Sequence, residues 1–127
     1  MIKRKSSKIS LIGLVPEMRR VLIIVGQIWK AHNKVAVITA GTEAFNGLML
    51  IHSDGSFHPF GRALDFRTNH FTIPRVIPVV GVNRIPYTAK IDRELILKIA
   101  DQLRKELGKD YDVIVHSTHL HIEYDKK

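Results

Sequence analysis

The chain has no cysteine among its 127 residues, which excludes disulfide staples and thiolate metal sites. It has a single tryptophan and few aromatics in all, so no aromatic platform for stacking nucleobases accompanies its charge. Acidic residues are scarce beside basic ones, 12 against 20, giving a formal charge of +8. That balance favours an anionic partner such as nucleic acid, a membrane surface or a wall polymer. Without a base-stacking platform or a known motif, nucleic acid is disfavoured. Long apolar runs are missing too. The stretch ISLIGLV after the basic start MIKRKSSK is short, is followed by Pro16 and Glu17, and has no small-residue cleavage site, so no signal peptide is recognised. Residues 18–29 are apolar on one face only and carry Arg19 and Arg20, so no transmembrane segment is expected. Repeats and low-complexity segments are absent. The expectation is one domain over residues 11–127, preceded by a flexible basic arm over residues 1–10.

What is present reads as alternating helix and strand. Pro16 suits a first helical turn, and Met18, Val21, Leu22, Val25, Ile28 and Trp29 follow at helical spacing. KVAVITA, residues 34–40, predicts a central strand ended by Gly41, and ALDFR, residues 63–67, predicts another. Residues 41–57 read as an irregular loop. Pro74, Pro78 and Pro86 keep residues 70–88 extended or looped. Ile91, Leu95, Ile99, Leu103 and Leu107 predict an amphipathic helix starting near Thr88 or Asp92 and stopping at Gly108. Residues 111–115 and 119–124 predict two strands, as a tight hairpin or as one strand broken by a bulge. This order suggests an α+β domain with a small antiparallel sheet.

Two segments carry candidate chemistry. SFHPFGRALDFR sets Asp65 inside an apolar strand, where a charge costs several kcal/mol (roughly) unless it is paired or binds a metal. HSTHLH holds His116, His119 and His121; by strand alternation His119, His121 and Glu123 share one face. Zinc accepts imidazole nitrogen and carboxylate oxygen, and a catalytic site takes three protein ligands plus water. His58, Asp65 and one histidine of HSTHLH are therefore candidate ligands. The competing reading pairs Asp65 with Arg62 or Arg67 and leaves the histidines as polar surface.

Together these segments resemble the zinc peptidases of family M15, within the wider group of lysostaphin-type enzymes, D-Ala-D-Ala carboxypeptidases and hedgehog domains. SFHPFGRALD is similar to the family motif SxHxxGxAxD, with Ser56, His58, Gly61, Ala63 and Asp65 matching, and HSTHLH is similar to HxxHxH. The segment LGKDYDVIVHSTHLHIEYD is especially similar to the small single-domain members of bacteriophages, and the likeness covers roughly residues 14–125. The resemblance implies a small antiparallel sheet packed with two main helices, of hedgehog or D-Ala-D-Ala-peptidase type. It implies one zinc ion held by His58, Asp65 and His121, whose bound water attacks an amide carbonyl. It gives His119 as the base, with His116 beside it to hold the water or stabilise the oxyanion. Ser56 and Arg62 become candidate substrate-binding residues. The implied activity is hydrolysis of peptidoglycan stem or cross-bridge peptides, as a D,D-carboxypeptidase or an endopeptidase. The alternative is a non-catalytic zinc-stabilised binding or virion module of hedgehog-like type. The implied setting is a phage-encoded protein in the host cytoplasm or virion, acting on the cell wall, where the positive charge would favour an anionic wall surface.

The chain also departs from the pattern of the family it resembles. It has His116 where phage-type members often have Glu, and Thr118 where other branches carry Asp or Glu. The base thus stays open among His119, His116 and Glu123. Where many relatives carry an arginine for the substrate carboxylate there is Glu43, with Arg62, Arg67 or Arg84 as candidate substitutes.

Overall fold

The computed structural model describes residues 2–43, 45–46, 49–50, 57–76 and 87–127. Helix α1, Pro16–Ala31, opens with proline in its first turn and buries Met18, Val21, Val25, Ile28 and Trp29. It ends at His32, and Asn33 next takes a left-handed φ of 58°, a conformation that asparagine tolerates better than most residues. Helix α2, Arg93–Leu107, is capped by Asp92, whose side chain accepts from the Leu95 N–H at 3.1 Å. Its buried face is Ile96, Ile99, Ala100, Leu103 and Leu107; Ile91 and Leu95 pack beside that face, only partly buried. Gly108 ends it at φ 90°. Among the described residues no helix is long and apolar enough to cross a membrane.

The strands are β1 (Ile2–Arg4), β2 (Ala36–Ala40), β3 (Phe45–Asn46), β4 (Met49–Leu50), β5 (Ala63–Arg67), β6 (Thr72–Val76), β7 (Tyr87–Ile91), β8 (Tyr111–Val115) and β9 (His119–Tyr124). Five of them form one sheet in the order β1-β2-β5-β9-β8. The strand pairs β3–β4 and β6–β7 stand as separate two-stranded sheets. In the main sheet Leu64, Phe66, Leu120 and Ile122 are fully buried, in the same core as the inner faces of both helices. Trp29 fills the centre, with Phe66 and Phe71 rings 6.0 and 5.6 Å away. Strand alternation turns Asp65, Arg67, His119, His121 and Glu123 to the opposite face.

Two expectations are corrected. The basic arm is not loose along residues 2–4: β1 pairs parallel with β2, from Ile2 opposite Ala36 to Arg4 opposite Ile38. The Lys5 N–H continues the ladder to the Ile38 carbonyl at 2.8 Å, and Ile9 is buried. The sheet is therefore mixed rather than antiparallel, because β1 alone runs parallel to its neighbour. The α+β class, with a small five-stranded main sheet and two helices, stands. β8 and β9 form a hairpin, not one interrupted strand; the His116 N–H closes its turn on the His119 carbonyl at 2.9 Å.

Candidate metal centre

Asp65 sits on β5 directly opposite His121 on β9. Its Oδ1 lies 2.7 Å from His121 Nδ1 and 3.3 Å from His58 Nε2, and its Oδ2 lies 3.7 Å from His119 Nε2. Three imidazoles therefore surround one carboxylate. Neither Arg62 nor Arg67 pairs with Asp65 among the described residues, so the arginine-pairing alternative does not describe the site.

His58 comes from a single 3-10 turn, His58–Phe60, that leads into β5. The turn is held in place by Gly61. Its φ of 71° lies in the left-handed region, and a Cβ there would collide with the Gly13 carbonyl. The Gly61 carbonyl accepts from the Val15 N–H at 3.0 Å, fixing the turn to the start of α1. His58 is buried and its Nδ1 lies 3.0 Å from the Gly41 carbonyl. A carbonyl only accepts, so Nδ1 carries the proton. In the neutral ring Nε2 then directs a lone pair at the Asp65 carboxylate. Two acceptors facing each other at 3.3 Å call for a cation or a second proton between them.

Electrostatics agree. Burial works against ionisation of Asp65, but hydrogen bonds from His121 and His58, together with their charge, override it and hold the carboxyl far below its usual range. Burial likewise opposes the His121 cation, yet Asp65, and to a lesser degree Glu123, push its pKa up. For His119 burial dominates, and with His116, His121 and His58 nearby it outweighs the pull of Asp65, so the pKa goes down.

His58, Asp65 and His121 each offer a ligand atom, and those atoms lie within 4.8 Å of one another. Tetrahedral zinc with ligands at about 2.1 Å needs neighbouring ligand atoms about 3.4 Å apart. The nitrogen and oxygen donors, their spacing, and the outer contacts of both imidazoles all suit a metal ion. His121 Nε2 faces Glu123 Oε2 at 3.7 Å while His58 donates to Gly41, the kind of outer contact that orients ligating imidazoles.

The other expected site residues divide. His119 reaches the centre with Nε2, while its Nδ1 meets the Thr118 hydroxyl at 3.2 Å. His116, of opposite strand parity, is brought round by the turn at Ser117–Thr118 and stacks on His119 with ring centroids 4.6 Å apart. Arg62 is not brought to the centre. It lines a separate hollow of about 400 Å³ with Val15, Phe57 and Phe60. Arg67 instead lies opposite His119 and, with Lys5, Asp65 and His119, lines a cavity of about 330 Å³. Ser56, His52 and Arg84 lie outside the described residues. Reading the sequence missed Gly41 and Lys5 as neighbours of the site, and neither carried a signal for it. Thr118, noted there only as a departure from an acidic residue, contacts His119.

No family model, curated protein or solved structure matches this chain.

Proposed function

We propose that the protein is a zinc-dependent peptidase acting on peptidoglycan stem or cross-bridge peptides, with the hedgehog or D-Ala-D-Ala-peptidase type of fold. The observation that carries the reading is the convergence of His58, Asp65 and His121, with His119 set against the same carboxylate. Zinc bound there would supply Lewis acidity toward water and the scissile carbonyl. The chain's own residues do the rest. Gly41 and Glu123 hold the two imidazoles in their ligating orientations. His119, kept neutral by its burial, takes a proton through Nε2 and returns one to the leaving amine. Thr118 holds the far side of that ring, and stacked His116 stabilises negative charge beside it. Arg67, rather than Arg62, offers a guanidinium in the cavity next to Asp65 for the substrate carboxylate.

The test is zinc stoichiometry by mass spectrometry, with amine release from purified peptidoglycan, on wild type and His119→Gln. One zinc per chain in both, with release only in wild type, is the expected result. Zinc without release in wild type would assign the non-catalytic binding module. No zinc in metal-replete wild type would overturn the reading.

A further inference from the structure

The orientation of His58 depends on one carbonyl, and that carbonyl is held by a segment far from it in sequence. The peptide unit joining Gly41 and Thr42 is engaged at both ends. Its C=O accepts from His58 Nδ1 at 3.0 Å, and its N–H, that of Thr42, donates to the Ser10 carbonyl at 2.7 Å. A peptide unit is planar, so fixing its N–H fixes the direction of its C=O. The unit before it is fixed by Glu43: the Gly41 N–H donates to both carboxylate oxygens, at 3.0 and 2.9 Å. The same carboxylate accepts the Ser10 N–H at 2.9 Å, and the Thr42 and Ser10 hydroxyls meet at 3.1 Å. Gly41 is required for this closeness, since a Cβ there would collide with the Ser10 carbonyl. Hydrogen bonds to a carboxylate are among the stronger ones, and these are partly buried.

We propose that Glu43 is a positioning residue that binds the N-terminal segment around Ser10 to the loop at Gly41, and through the Gly41 carbonyl sets the tautomer and aim of His58. The metal part of this inference rests on the reading of His58 as a ligand. The part concerning the tautomer does not. Docking of residues 8–12 and metal binding are then coupled, and the coupling is reciprocal: metal tightens the docked segment, and loosening the segment weakens the metal. Outer-shell partners of ligating histidines typically carry about 10–100-fold in metal affinity.

The experiment compares wild type, Glu43→Ala and Glu43→Gln, first metal-free and then titrated with zinc. In the metal-free state, at a pH where the His58 ring holds a single proton, its ring-nitrogen NMR shifts report which nitrogen carries that proton. Wild type is expected to show Nδ1–H. Glu43→Ala is expected to show a mixture and a zinc affinity lower by about 10–100-fold. Glu43→Gln, which keeps one acceptor oxygen, should recover most of both. A purely local stabilising role would lower the melting point yet leave the His58 nitrogen shifts as in wild type, and that outcome would overturn the proposal. If Glu43→Ala does not fold, wild type decides: zinc should slow hydrogen exchange at the Thr42 amide more than at amides of β8, and equal slowing sinks the coupling. If wild type takes up no zinc, the metal-centre reading fails, while the metal-free tautomer comparison still decides the role of Glu43.

Discussion

Asp65 and His121 are register partners on adjacent antiparallel strands, and their side chains meet at 2.7 Å on the sheet face turned away from the helices. Three further candidate groups are placed around that pair. His58 approaches from the turn before β5, His119 from two positions earlier on β9, and Glu123 from two positions later.

Removing the carboxylate removes the centre of the constellation. Asp65→Ala is expected to lose zinc more severely than the roughly 10–100-fold typical of outer-shell changes. It also leaves His58 and His121 facing a gap. Isothermal titration with zinc measures this, and near-wild-type affinity would show that Asp65 is not a ligand.

In the metal-free protein the Asp65 pKa lies below its ordinary 3.8 and that of His121 above its ordinary 6.5. The Asp65 contribution to stability is present above pH 3.8 and is lost as pH falls through the depressed folded value. The His121 contribution is fully present below pH 6.5 and is lost as pH rises through the raised folded value. His119 shifts the other way, so the clean quantity is a difference. The gap in unfolding free energy between wild type and His121→Gln, from urea melts with chelator present, should shrink as pH rises past 6.5. A gap constant with pH contradicts the pairing. Zinc competes with the His121 proton, so its affinity should fall on acidification over the same range.

For the proposed hydrolysis three groups compete for the role of base, and geometry ranks them. His119 faces Asp65 directly, His116 stacks behind it, and Glu123 faces the far nitrogen of His121. His119→Gln should lower kcat by about 10²–10⁴-fold with zinc retained. His116→Gln should lower it less. Glu123→Gln should act mainly through weaker zinc binding. Full activity in His119→Gln would transfer the role to another group.

Gly61 makes a stability prediction independent of chemistry. Gly61→Ala must place a Cβ at a left-handed φ and against the Gly13 carbonyl. The conformational part alone costs about 1–2 kcal/mol, and the collision adds to it. Chemical unfolding should show a loss beyond 2 kcal/mol, roughly. A neutral substitution would mean that the turn can move away from α1.

Much of this was legible in the chain. Proline at position 16, asparagine-free apolar spacing along α1, and Asp92 before α2 state their helices locally, because caps and periodicity act within a few residues. ALDFR and HLHIEY state their faces by alternation, which placed His119 with His121. The parallel pairing of β1 was not legible. Ile2, Lys3 and Arg4 are few and mostly charged, and their partner strand begins at Ala36. Nor could spacing show that Arg62 lines a different hollow from Asp65, since the turn at Gly61 decides which way it leaves the strand. Glu43 looked like a departure from an expected arginine; its bonds to Ser10 and Gly41 exist only once distant segments meet.

β5 has its two sheet neighbours on either side in the chain, β2 before it and β9 after it. During synthesis, β2 and β5 can meet early, but the other edge of β5 stays open until the last hairpin emerges. That open edge would present Leu64 and Phe66 beside unpaired backbone groups, the kind of surface that recruits wrong strands. His58 and Asp65 would already be near each other, while His121 arrives with the strand that covers the edge. A metal ion held by all three residues would therefore reward the correct strand and penalise an intruder, so that the centre would select for its own fold.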